Sequence, residues 1–162
     1  ENLYKGLVFN KLPNLLYLGM QDQYYTFNMF DAQAWFARDI MQGKIKLPNE
    51  EQRNDDIKLW MERSAANKNH DDEVDFQTDY VKDLIAATNY PSFDLDAVAV
   101  LFKQWLKDKD ENILEYRDKT YTSVITGTKA EKHHTVWLDE MDDTFERFLS
   151  IGPKEEKEVE TL

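Results

Sequence analysis

Cysteine is absent from the sequence, which removes disulfide frameworks, thiol nucleophiles and thiolate metal sites. Glycine is nearly as restrictive. The five glycines, Gly6, Gly19, Gly43, Gly127 and Gly152, are spaced so that neither G-x-G-x-x-G nor a P-loop can be written. The chain therefore carries no glycine-rich cradle for a nucleotide phosphate. No apolar run approaches the ~20 residues that a membrane helix needs, and the N-terminus lacks a signal-peptide pattern, so the expected location is cytoplasmic. Basic residues are outnumbered. A formal charge of −12 without any Lys/Arg run argues against a nucleic-acid track. No serine lies in a G-x-S-x-G elbow, so serine hydrolysis finds no support.

What remains is enough for one core: 162 residues, 41% of them hydrophobic. Nine Phe, eight Tyr and four Trp give aromatic surface for packing or for a ring-binding pocket. The stretch that organises the rest runs from Leu15 to Trp35. Its apolar start, residues 15–18, reads as a buried strand ending at Gly19. Asn28, with Asp31 three residues on, reads as the cap of a helix beginning near Met29. Gln21, Asp22, Gln23 and Thr26 thus fall between a strand end and the positive end of a helix, where open α/β sheets bind ligands. Spacing alone leaves open whether they meet a ligand or bond their own loop. Upstream, residues 2–9 hold a short strand before a turn at 10–14, and two such strands make no stable sheet alone.

The helix over 29–42 places Ala32, Trp35, Phe36 and Ile40 on one stripe, widened by Ala34, Ala37 and Met41, and Gly43 closes it. Asn49 and Gln52 form a capping box for a charged helix reaching Ala66, with Ile57, Trp60 and Met61 as its few apolar positions. After a break at 67–72, a third helix is expected over 73–88 with Val74, Val81, Leu84 and Ile85 inward. Asp94 caps a fourth, carrying Val98, Leu101, Phe102, Trp105 and Leu106 until residues 108–110 interrupt it before a turn at 113–116. Residues 121–126 are β-branched and read as extended up to Gly127. A last helix follows Thr135 with Trp137, Leu138, Met141, Phe145 and Phe148 inward, and the charged residues 152–162 read as a disordered acidic tail. His133 and His134 point apart on an extended segment and lack further ligands, so no metal site is expected. The pairs Asp55-Asp56, Asp71-Asp72 and Asp142-Asp143 read as solvated rather than catalytic.

Several runs share the wording of one family. These are Leu3-Tyr-Lys-Gly-Leu-Val-Phe9, the stretch from Leu16 to Trp35, Asp79-Tyr80, Tyr90-Pro-Ser-Phe-Asp94, Glu111-Asn-Ile113, Arg117-Asp118, Thr126-Gly-Thr128 and His133-His-Thr135. Together they resemble the C-terminal part of the bacterial flavin-containing monooxygenases. The resemblance implies an α/β flavoprotein with two dinucleotide-binding domains, of which this segment alone is mostly helical with two or three short strands. Residues 1–47 would be the last strands and helix of the FAD domain, and residues 48–151 a helical extension packed on the FAD and NADPH domains. Both glycine-rich turns of the family lie upstream, so the chain reads as a fragment that needs the N-terminal portion.

The resemblance also implies an activity: NADPH reduces FAD, oxygen adds, and a flavin hydroperoxide converts small tertiary amines such as trimethylamine to N-oxides. The full enzyme is expected to be a homodimer. By the same likeness Gln21, Gln23 and Thr26 would meet FAD, and Asp22 and Arg117 would meet NADP. Tyr24, where relatives often carry tryptophan, and Trp105 would line the substrate pocket. Without the likeness, Trp105 reads as a core residue and Arg117 as an exposed ion pair with Asp118 or Glu115. No catalytic acid or base is assigned to this segment. The alternative is a stand-alone acidic helical interaction module without catalytic activity.

Overall fold

The computed structural model describes residues 3–19 and 24–131. The expected last helix, the tail, His133-His134 and Asp142-Asp143 lie outside the described residues, as do Gln21, Asp22 and Gln23. The chain opens with a hairpin of β1 (Leu3–Tyr4) and β2 (Val8–Phe9), paired antiparallel with Leu3 opposite Phe9 and Tyr4 opposite Val8. Residues 15–18 extend this ladder less than expected. Phe9 N–H donates to the Leu15 carbonyl at 3.0 Å and Tyr17 N–H to the Leu7 carbonyl at 2.8 Å, leaving one bridge between Val8 and Leu16. The expectation of a buried strand is corrected here: Leu15, Tyr17 and Leu18 are 37%, 40% and 53% exposed. One edge of the segment is occupied by β2, and among the described residues no second strand pairs with the other.

Helix α1 (Thr26–Met41) begins earlier than the sequence indicates. Its start is set by Tyr25, whose buried hydroxyl meets Thr78 Oγ1 at 2.7 Å and the Leu95 carbonyl at 3.3 Å. Asn28 consequently lies inside the first turn and is not the cap. Ala32, Phe36 and Ala37 are buried as the stripe requires, Trp35 and Ile40 are half-buried, and Met29 joins the buried face, whereas Ala34 and Met41 are exposed. Gly43 ends the helix as expected, with φ +69° and its N–H on the Ile40 carbonyl at 2.9 Å.

Helix α2 (Glu50–Ala66) carries the expected capping box, with Gln52 N–H on Asn49 Oδ1 at 2.9 Å and Asn49 N–H on Gln52 Oε1 at 3.2 Å. It is tied to the hairpin by polar side chains. Arg53 is buried and donates to Asn10 Oδ1 at 2.7 Å, the Asn10 carbonyl at 3.1 Å and the Pro48 carbonyl at 2.6 Å. Asp56, read as solvated, instead pairs with Lys5 Nζ at 2.8 Å, and Lys5 also reaches Asp83 at 2.7 Å.

Helix α3 (His70–Ala86) starts three residues before the expected Glu73, because Asn69 caps it by accepting from Asp72 N–H at 2.9 Å. Helix α4 (Leu95–Glu111) is capped by Asp94 as expected but continues through residues 108–110. Its continuation follows from Asp108, which is buried and satisfied by Gln104, Lys119 and Tyr121 rather than left to break the helix. Residues 121–126 are also corrected: they turn, with Ser123 N–H on the Thr128 carbonyl at 2.8 Å and a single bridge between Thr122 and Lys129.

Helix α3 packs between α1 and α4. The main core joins Leu7 and Val8 of the hairpin to Met29, Ala32 and Phe36 of α1 and to Val81 and Leu84 of α3. Each such large apolar side chain contributes about 1.5–3 kcal/mol by leaving water. A smaller cluster of Val74, Ala99 and Leu106 lies between α3 and α4, bordered by Tyr24, Phe102 and Trp105.

Candidate functional site at the start of the first helix

Among the described residues, three of the four α-helices begin on Asn or Asp side chains that cap them, and each of the three carries acid in its first turn. The start of α1 differs on both counts. Tyr25 supplies no capping hydrogen bond, and no acid lies in the first turn. The leading N–H groups and the positive end of the dipole are thus left to be satisfied from outside the helix. Thr26 is exposed at this end, and Phe27 is 84% exposed.

The incoming chain is fastened to the same helix. Gly19 N–H donates to Gln33 Oε1 at 2.9 Å, while Gln33 Nε2 donates to the Tyr80 hydroxyl at 2.9 Å and that hydroxyl donates to the Lys5 carbonyl at 2.7 Å. Gly19 has φ +75°, and the Phe30 ring comes within 2.5 Å of where a Cβ would stand. Only glycine fits both the conformation and the approach. Beside this junction an open groove of about 490 Å³ is lined by Leu18, Phe27, Phe30, Ala34, Tyr90 and Asp31.

Tyr24 is half-buried and anchored on α3: its N–H donates to Gln77 Oε1 at 2.6 Å, and its hydroxyl lies 2.8 Å from His70 Nδ1 and 3.1 Å from Glu73 Oε2. Trp105 borders the cluster of Val74, Ala99 and Leu106, as does Tyr24, so the fold brings these two sequence candidates to one apolar floor. Trp105 also meets Tyr116 edge-on at 5.6 Å. Arg117 is exposed and lies over the Tyr116 ring at 4.8 Å, so it joins Trp105 through that tyrosine. The ion pair with Asp118 or Glu115 does not form among the described residues, and Glu115 accepts from Asn112 Nδ2 instead at 3.0 Å.

Sequence reasoning missed His70, Glu73 and Gln77, which share one face of α3 and act on a residue about fifty positions away. Only their helical spacing was visible. It also missed Asp108, whose position on the buried side of α4 was the available signal. The Lys119 ammonium and then the Tyr121 phenol hold the Asp108 carboxyl down at about 2. Burial, then the neighbouring carboxylate, pushes the Tyr121 phenol up to about 12. Among the described residues no group of three or more His, Asp or Glu could hold a metal, and no helix is long and apolar enough to cross a membrane.

No family model matches the chain. It is 55% identical over 146 residues to a trimethylamine monooxygenase of Methylocella silvestris, covering 90% of this chain and 32% of that protein. It is 47% identical over 148 residues to the trimethylamine monooxygenase of Pelagibacter ubique, covering 91% and 33%. A crystal structure of Tmm from Pelagibacter sp. superposes with a TM-score of 0.82 at 46% identity, covering 91% of this chain and 33% of that one. The chain spans about a third of the length of the curated relatives it matches.

Proposed function

We propose that this chain, a homologue of the C-terminal third of trimethylamine monooxygenases, serves as the matching part of an NADPH- and FAD-dependent enzyme that N-oxygenates small tertiary amines such as trimethylamine. The observation that carries the proposal is 55% identity to a trimethylamine monooxygenase over nearly the whole of this chain. When bound, the flavin supplies the redox and oxygen chemistry. The chain's own part is to bind, orient and exclude water.

The start of α1 suits such a cofactor, since a helix N-terminus with no side-chain cap from Tyr25 and no acid in its first turn favours an electron-rich ring. In this reading Gln21, Gln23 and Thr26 hold FAD, Asp22 and Arg117 meet the nicotinamide nucleotide, and Tyr24 and Trp105 wall the amine pocket. Residues 1–47 complete the FAD domain and residues 48–151 wrap the FAD and NADPH domains. The exposed Leu15, Leu18 and Phe27 are consistent with a face that the dinucleotide-binding domains cover.

The test joins this chain to the upstream two thirds of the Methylocella silvestris enzyme, in place of that enzyme's own segment. The joined protein should purify yellow, oxidise NADPH faster with trimethylamine present and yield the N-oxide. A folded joined protein that retains FAD yet shows no amine-dependent turnover would overturn the assignment.

A further inference from the structure

Tyr24 is held at three points by one face of α3. Its N–H donates to Gln77, its hydroxyl is shared between His70 and Glu73, and its ring meets the His70 ring edge-on at 6.5 Å. Residues 70, 73 and 77 recur at helical spacing, so one rigid element supplies these three holds. A carboxylate only accepts, so the phenol proton goes to Glu73. His70 Nδ1 lies 2.8 Å from the phenol oxygen and 3.2 Å from the same carboxylate oxygen, and as an N–H it donates to both. One arrangement of protons therefore satisfies all three side chains. The Tyr24 ring also packs at 6.3 Å from Phe102, above the floor of Val74, Ala99 and Leu106 that Trp105 shares.

We infer that His70 and Glu73 are positioning residues that fix the Tyr24 ring as a wall of the amine pocket and so help set which small amines the site accepts. The inference rests on the proposed role of Tyr24 in that pocket. It is particular to a tyrosine. An indole at this position would have only an N–H and no oxygen to accept from His70, so it could not be latched in the same way. His70 is 66% exposed at its side chain, so its truncation opens no core cavity and acts on Tyr24 rather than on the fold.

The experiment uses the joined enzyme described above and measures KM and kcat for trimethylamine and for the bulkier triethylamine. FAD content and melting temperature are followed in parallel. Tyr24→Phe, His70→Ala and Glu73→Gln should each raise the trimethylamine KM about three- to tenfold with a smaller change in kcat. Discrimination against triethylamine should relax, and FAD content should stay normal. Tyr24→Phe combined with His70→Ala should be no worse than either alone, because both remove one latch. Tyr24→Ala separates the two levels. If it leaves amine KM unchanged, Tyr24 does not line the pocket, and both the role and the latch fall. If Tyr24→Ala impairs amine binding while His70→Ala and Glu73→Gln do not, or if their effects add to that of Tyr24→Phe, the latch alone is overturned.

Discussion

The Asp108 carboxylate accepts from the Lys119 ammonium at 2.7 Å, folding the chain after α4 back onto the helix it has just left. Tyr121 donates to the other carboxylate oxygen, and Gln104 to the same oxygen as Lys119 at 2.9 Å. Between these residues lies Arg117, stacked on Tyr116, which in turn meets Trp105. The turn is thereby fixed on both sides: Arg117 stacks on the Tyr116 ring before it, and after it Lys119 and Tyr121 return to the buried Asp108 carboxylate.

This clamp should be sensitive to acid. The Asp108 carboxyl is held at about 2, below its ordinary 3.8, by Lys119 first and Tyr121 second. A carboxyl depressed on folding stabilises above its unfolded value, and that contribution fades as pH falls through the folded one. The stability gap between the wild-type chain and Asp108→Asn should be full at neutral pH and close between about pH 4 and 2. Urea midpoints of both proteins at a series of pH values would check it. A gap that persists unchanged at pH 2 counts against the clamp.

Gly19→Ala should lower stability without touching any apolar core residue. The methyl group would meet Phe30 at 2.5 Å, and φ +75° is strained for alanine. The backbone term alone is roughly 1–2 kcal/mol, and displacement of Phe30 adds to it. Thermal melting reads the loss. Gly43→Ala is the control, because it has a similar φ of +69° with open space around the added carbon, and it should cost less.

Arg117→Ala in the joined enzyme should weaken NADPH binding by roughly 1.5–3 kcal/mol, the scale of a charge-assisted phosphate contact. FAD content should not change. If Arg117 serves only to cover Tyr116, melting temperature falls slightly and NADPH affinity stays as it was.

Gln23→Leu and Thr26→Val keep approximate size and delete hydrogen-bonding groups. In the joined enzyme they should reduce FAD retention or the rate of flavin reduction, while the apo-protein melts as before. Exposure of Thr26 supports that separation. Normal retention and reduction in both variants, with a less stable apo-protein, would return the loop to a purely structural role.

The sequence by itself determined the helical character and most of the helix limits. Asn49 with Gln52, Asp94 before Leu95, and Gly43 after Met41 each stand where the structure has them. These signals were legible because a cap closes its hydrogen bonds within one turn, so donor and acceptor are a few residues apart and their spacing is written in the chain. The family likeness was legible for a similar reason, as short runs of residues in order. Tertiary structure decided the rest. Tyr25 starts α1 because its hydroxyl meets the Thr78 hydroxyl and the Leu95 carbonyl. Gln33 occupies a fully buried place on an otherwise apolar stripe because Tyr80 and Gly19 satisfy it. Asp108 stays helical because Lys119 and Tyr121 return to it, and Tyr24 is aimed by His70 and Glu73. In each case a polar group is burdened with desolvation until a particular distant partner arrives, and periodicity records that a position faces inward without recording who meets it there.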